Sequence, residues 1–152
     1  MLVEAHVTIN GSKAQAWAAI TDIENAAKII SGIKGIEILE RPAKGLVGLR
    51  WLETRVFSGD LATVEKRITE ATGNDSYTTR AEGHGFVFLT TKRISGGDGD
   101  LTYTEIHDSQ PQGPAARLKA TLMGLLFKGM MKKLILQDMN DIKRTVERGP
   151  GG

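Results

Sequence analysis

No cysteine occurs in the chain, which excludes a disulfide framework, a thiol nucleophile and a thiolate metal site. Histidine is scarce. His6, His84 and His107 lie on different segments without ligand spacing, so no metal is expected, and nothing in the sequence calls for a cofactor. No run of about 18 apolar residues occurs, and charge follows the first methionine too early for the apolar stretch of a signal peptide; the expected location is cytoplasmic. The GxSxG elbow, the Walker motif and a strand-following GxGxxG are missing too.

Proline is sparse at 4 residues, whereas glycine reaches 18, which points to many turns and an antiparallel sheet. The 152 residues, 40% apolar and 25% charged, have the composition of one ordinary globular domain. A single domain over 1–148 with a flexible tail over 149–152 is expected. The net charge of +2 is unevenly spread: residues 1–114 hold 12 basic and 15 acidic side chains, and residues 115–152 hold 8 and 3. So even a balance argues against nucleic acid as a partner, and the basic character belongs to the C-terminal segment.

Val3 to Ile9 alternates apolar and polar residues, as a half-buried strand does. Ser12 is a good N-cap with Gln15 in capping-box spacing, and Ala16, Trp17, Ile20 and Ile23 follow at helical spacing. A second short helix is expected over roughly Ile23 to Ile30. Extended segments then run Ile36 to Arg41, Gly48 to Phe57, Ala62 to Ala71, Ser76 to Gly83, Phe86 to Ser95 and Leu101 to His107. The turns between them include Ser58 to Asp60, Gly73 to Asp75, Gly83 to Gly85 and Gly96 to Gly99. Connections this short join antiparallel neighbours, so seven strands forming a curved half-barrel are expected.

After Pro111 and Pro114 the pattern becomes helical and nothing stops it before Gly149, which predicts one helix of up to about 35 residues. Gly124 and Gly129 are places where it can bend. Its first half is so rich in Leu, Met and Phe that little polar face remains; its second half, with Met139, Ile142 and Val146, is an ordinary amphipathic stripe.

This α+β order of strand, two short helices, six antiparallel strands and a long C-terminal helix resembles the helix-grip fold of the START-like (SRPBCC) superfamily over nearly the whole chain. That superfamily includes polyketide cyclases, lipid-transfer proteins and birch-pollen-allergen-like proteins. The strand into Ile9 and Ser12, Ala16-Trp17, the glycine-marked turn from Gly45 to Trp51, and Gly113-Pro114 to Leu118 followed by Leu134 to Ile142 carry the likeness. The resemblance implies a curved sheet closed by the long helix around an apolar cavity. It further implies a small hydrophobic or aromatic ligand of lipid, polyketide or isoprenoid type, or alternatively a polyketide cyclase or dehydratase activity.

On that reading the ligand-binding candidates are Trp51, Phe57, Phe86 and Phe88 on strands and Leu118, Leu122, Leu125, Leu126 and Met130 on the helix. One side of Leu49 to Phe57 carries Trp51, Glu53 and Arg55. Held inside a cavity, Glu53 and Arg55 would polarise a carbonyl or bind a carboxylate; the ordinary alternative is that both face solvent. Tyr103 shares a strand side with Glu105 and His107 and completes the catalytic candidates Glu53, Arg55 and Tyr103. His84 sits in a turn where a cavity mouth would place it as an acid or base; the ordinary alternative is a surface turn histidine. Met123 to Leu136 is also a candidate surface for a homodimer or another partner. Lys119, Lys128, Lys132 and Lys133 beside it suit anionic lipid, although lysines on an outer face are ordinarily just solvated.

Overall fold

The computed structural model describes residues 1–57 and 59–149; Ser58 of the expected turn, and residues 150–152 of the expected tail, lie outside them. In chain order the elements are β1 (Leu2–Ile9), α1 (Lys13–Thr21), a 3-10 turn (Ile23–Asn25), α2 (Ala26–Ile29), β2 (Ile33–Glu40), β3 (Arg50–Phe57), β4 (Asp60–Thr72), β5 (Ser76–Gly83), β6 (Phe86–Gly97), β7 (Asp100–Pro111) and α3 (Pro114–Arg148). All seven strands form one antiparallel sheet in the order β1-β7-β6-β5-β4-β3-β2. The curved sheet is gripped by α3 in a helix-grip fold.

Local chemistry sets the boundaries. Ser12 caps α1 with the expected capping box, its hydroxyl accepting from the Gln15 amide while the Gln15 side chain accepts from the Ser12 amide. The second short helix is broken into the 3-10 turn and the single turn of α2. β2 starts at Ile33, earlier than its alternation predicts, because its register against β3 shifts between Ile33 and Gly35 and interrupts the period of two. β7 runs past His107 to Pro111, held by the pairs Ser109 with Phe88 and Pro111 with Phe86.

The turn between β5 and β6 consists of His84 and Gly85, both at positive φ (51° and 79°). That is the backbone of a two-residue hairpin whose twist matches the strands. α3 begins on this hairpin: the Gln112 amide donates to the Gly85 carbonyl at 2.7 Å, and Ala116 packs against Gly85. It ends at Gly11, where an added Cβ would come within 2.7 Å of the Val146 side chain.

The core is concentrated under the second half of α3. Ile135, Met139, Ile142 and Val146 are buried against Val3, Ala5, Ile9, Leu101 and Tyr103 of β1 and β7. Tyr77 of β5 donates to the Ile20 carbonyl of α1 at 2.6 Å and meets the Trp17 ring edge-on at 6.0 Å. Two acidic residues of α3 tie it to the rest of the chain. Asp141 accepts from the Ser31 amide and hydroxyl at 2.9 and 2.8 Å, and Asp138 accepts from Arg55 of β3 at 2.5 Å.

Candidate functional site on the concave face

Strand register decides which side chains meet. The pairs Trp51 with Lys66, Lys66 with Ala81, Ala81 with Phe88, and Phe88 with Ser109 place these residues on one face. Alternation then adds Glu53 and Arg55 from β3, Tyr77 and Thr79 from β5, Phe86, Thr90 and Lys92 from β6, and Tyr103, Glu105 and His107 from β7. This is the face that α3 covers. Among its residues Arg55, Lys66, Phe86, Phe88, Thr90, Lys92 and His107 are only half-buried, so part of this face stays accessible beneath the helix. Phe86 and Phe88 stack at 5.8 Å as its apolar wall.

Two carboxylates anchor the polar part. Glu53, 4% exposed, accepts from Arg55 Nε at 2.7 Å and Lys66 Nζ at 2.8 Å on one oxygen and from Trp51 Nε1 at 3.4 Å on the other. Burial pushes its carboxyl up, but Lys66 and Arg55 outweigh that and hold it at about 2. Arg55 reaches on to Asp138; burial works against its charge, yet Asp138 and Glu53 raise its pKa further. Asp138 itself is pushed up by burial, against the pull of Arg55.

The second anchor is Glu105. It accepts from the Tyr103 hydroxyl, lies 2.7 Å from His107 Nε2 and faces Lys92 Nζ at 3.5 Å. Burial would raise its carboxyl, but Lys92, His107 and Tyr103 hold it well below the carboxylate range. Burial would lower Lys92, and Glu105 raises it instead. Glu105 orients the His107 ring through Nε2, and the Thr90 hydroxyl lies 3.4 Å from Nδ1 on the other side of the ring. The arrangement can bind an anionic or carbonyl group beside an aromatic wall, and it holds one imidazole in a fixed pose.

The expected site residues are thus divided. Trp51, Glu53 and Arg55 come together inside, not in solvent. Tyr103 is fully buried beneath Glu105, its hydroxyl already used. Phe57 is exposed at the end of β3, away from the inner wall. The helix candidates are misplaced: Leu118, Leu122, Leu125, Leu126 and Met130 are exposed, because Ala116, Ala120, Phe127 and Met131 take the inward face of α3. His84 is an exposed turn residue.

Lys66, Lys92 and Asp138 were not anticipated, although each lies in phase with apolar neighbours: Val64 and Ile68, Phe88 and Ile94, Ile135 and Ile142. Concavities of about 220 Å³ between Ala18, Ala19 and Val146, and of about 160 Å³ around Lys66, Arg67 and Arg80 on β4 and β5, are not lined by Phe86, Phe88 or His107. Among the described residues no group of three His, Asp or Glu side chains is placed to hold a metal, and no helix is long and apolar enough to cross a membrane.

A curved seven-stranded sheet gripped by a C-terminal helix defines the START-like (SRPBCC) class. Solved structures share the fold. A protein of Thermus thermophilus superposes with a TM-score of 0.80 at 12% identity, over 99% of this chain and 100% of that one. The aromatase/cyclase Zhui of Streptomyces sp. R1128 gives 0.75 at 18% identity, over 100% and 98%. A START superfamily protein of Mycobacterium smegmatis gives 0.71 at 17% identity, over 97% and 94%. No curated protein matches. The chain belongs to the family described as "Polyketide cyclase / dehydrase and lipid transport", whose profile matches residues 2–147.

Proposed function

We propose that the protein binds a small ligand with a hydrophobic or aromatic body, of lipid, polyketide or isoprenoid type, between the concave face and α3. One observation carries this reading: the half-buried Phe86–Phe88 wall stands on the same face as the paired charges of Glu53, Arg55, Lys66, Lys92 and Glu105. Such a face suits a ligand whose body replaces water on the phenylalanines while a carbonyl, hydroxyl or carboxylate takes up hydrogen bonds from Lys92 or His107. Native mass spectrometry against fatty acids, aromatic polyketides and isoprenoids is the test. Binding that weakens at least tenfold in Phe88→Ser supports the reading; a panel with no binder, or binding indifferent to Phe88, overturns it.

A second reading, catalysis of cyclisation or dehydration on a polyketide-type chain, is favoured by His107 alone. An imidazole braced by a buried carboxylate, with only the Thr90 hydroxyl at 3.4 Å on its other nitrogen, is equipped as an acid or base once a ligand displaces that contact. Turnover of such a chain, lost in His107→Ala while ligand still binds, would support it.

A further inference from the structure

The first half of α3 carries an apolar stripe on which nothing packs. Leu118, Leu122, Leu125 and Leu126 recur at i, i+4, i+7 and i+8, one face of a helix, and are 63%, 77%, 91% and 90% exposed. The opposite side is the one turned to the protein, through Ala116, Ala120, Phe127 and Met131. Beside the stripe stand Arg117, Lys119, Lys128, Lys132 and Lys133, and from Pro114 to Gln137 there is no Asp or Glu. Among the described residues the ion pairs of α3 all involve Asp138 or later positions, so these five cations have no carboxylate partner.

We propose that this face docks on an anionic lipid bilayer. A contiguous row of leucines this exposed is unfavourable in water, and the flanking cations say what kind of surface relieves it. Leucines entering the boundary of the acyl chains, with Lys and Arg at the phosphates, match the physics of interfacial helices. A second copy of the chain is the poorer occupant, because pairing stripe to stripe sets five cations against five. The proposal stands independently of the ligand of the concave face, although docking would bring the helix that covers that face to the lipid surface.

The test is flotation of the full chain with phosphatidylcholine vesicles, with and without phosphatidylserine. Binding is expected only with phosphatidylserine and should weaken as salt is raised. Leu125→Ser with Leu126→Ser should reduce it about tenfold or more. Lys132→Glu with Lys133→Glu should reduce it about fivefold per charge removed, or further. Far-ultraviolet circular dichroism verifies that the variants fold, which their exposure leads us to expect. The proposal is overturned by absence of binding to phosphatidylserine vesicles, by equal binding to both compositions, or by loss-free variants. A concentration-dependent dimer in light scattering that the leucine changes abolish would also overturn it, since a second copy would then own the stripe.

Discussion

Arg55 Nη2 lies 2.5 Å from Asp138 Oδ2 and joins the third strand of the sheet to the long helix. The contact sits over Gly32, where an added Cβ would lie in ordinary van der Waals contact, 3.5 Å from Arg55 and 3.6 Å from Asp138. Arg55→Ala removes a partner from two carboxylates at once, and a partly buried charge left unpaired is costly. A loss of about 2 to 4 kcal/mol in urea denaturation is expected. Changing Arg55→Met together with Asp138→Leu should recover part of it, because no orphaned charge remains at the helix.

Acid should unfold the protein partly through Glu53. Its carboxyl is held at about 2 in the folded chain against an ordinary 4.5. The stability it contributes, roughly 3 kcal/mol, is therefore fully present above pH 4.5 and lost as pH falls toward 2. Glu105, also held low, acts in the same sense. Asp138 acts in the opposite sense: its contribution is present at low pH and lost as pH rises through its raised value. Glu53→Gln should flatten the decline in denaturation midpoint measured between about pH 5 and pH 2; an unchanged slope would refute this assignment.

Tyr103 and His107 both contact Glu105 but should behave differently when changed. Tyr103→Phe takes one hydrogen bond from a fully buried carboxylate and should cost about 1 to 3 kcal/mol of stability, with ligand affinity altered less than twofold. His107→Ala, at a half-buried position, should cost less stability while shifting affinity or turnover at least tenfold. The reverse pattern would move the functional group of β7 to Tyr103.

Ligand entry should be visible in tryptophan fluorescence. Trp51 is buried on the concave face beside Glu53, whereas Trp17 sits on α1 against Tyr77. In Trp17→Phe the emission should still change on binding, and in Trp51→Phe the change should disappear.

Periodicity and turn chemistry made the fold readable. Ser12 and Gln15 mark the first helix, the Gly-rich hairpins separate the strands, and the lack of any stop before Gly149 gives the last helix its length. Register was harder to read. Glu53 and Arg55 could be assigned to one side of β3, but whether that side faced inward depended on pairing with Lys66 and on Asp138, 83 positions beyond Arg55 in the chain. The helix failed for a different reason. With leucine, methionine and phenylalanine all round it, composition does not distinguish its faces, and the small residues Ala116, Ala120 and Gly124, which permit close approach, proved a better guide than the large ones.

The sheet order bears on how the chain reaches this state. β1 and β2 follow one another in sequence yet occupy opposite edges, and β1 pairs with β7, Leu2 opposite Asp108. During synthesis the first strand must remain without its neighbour until the chain has been made as far as Asp108. Closure of such a long loop is slow, so the exposed edge of β1 is the part of the nascent chain most open to mispairing.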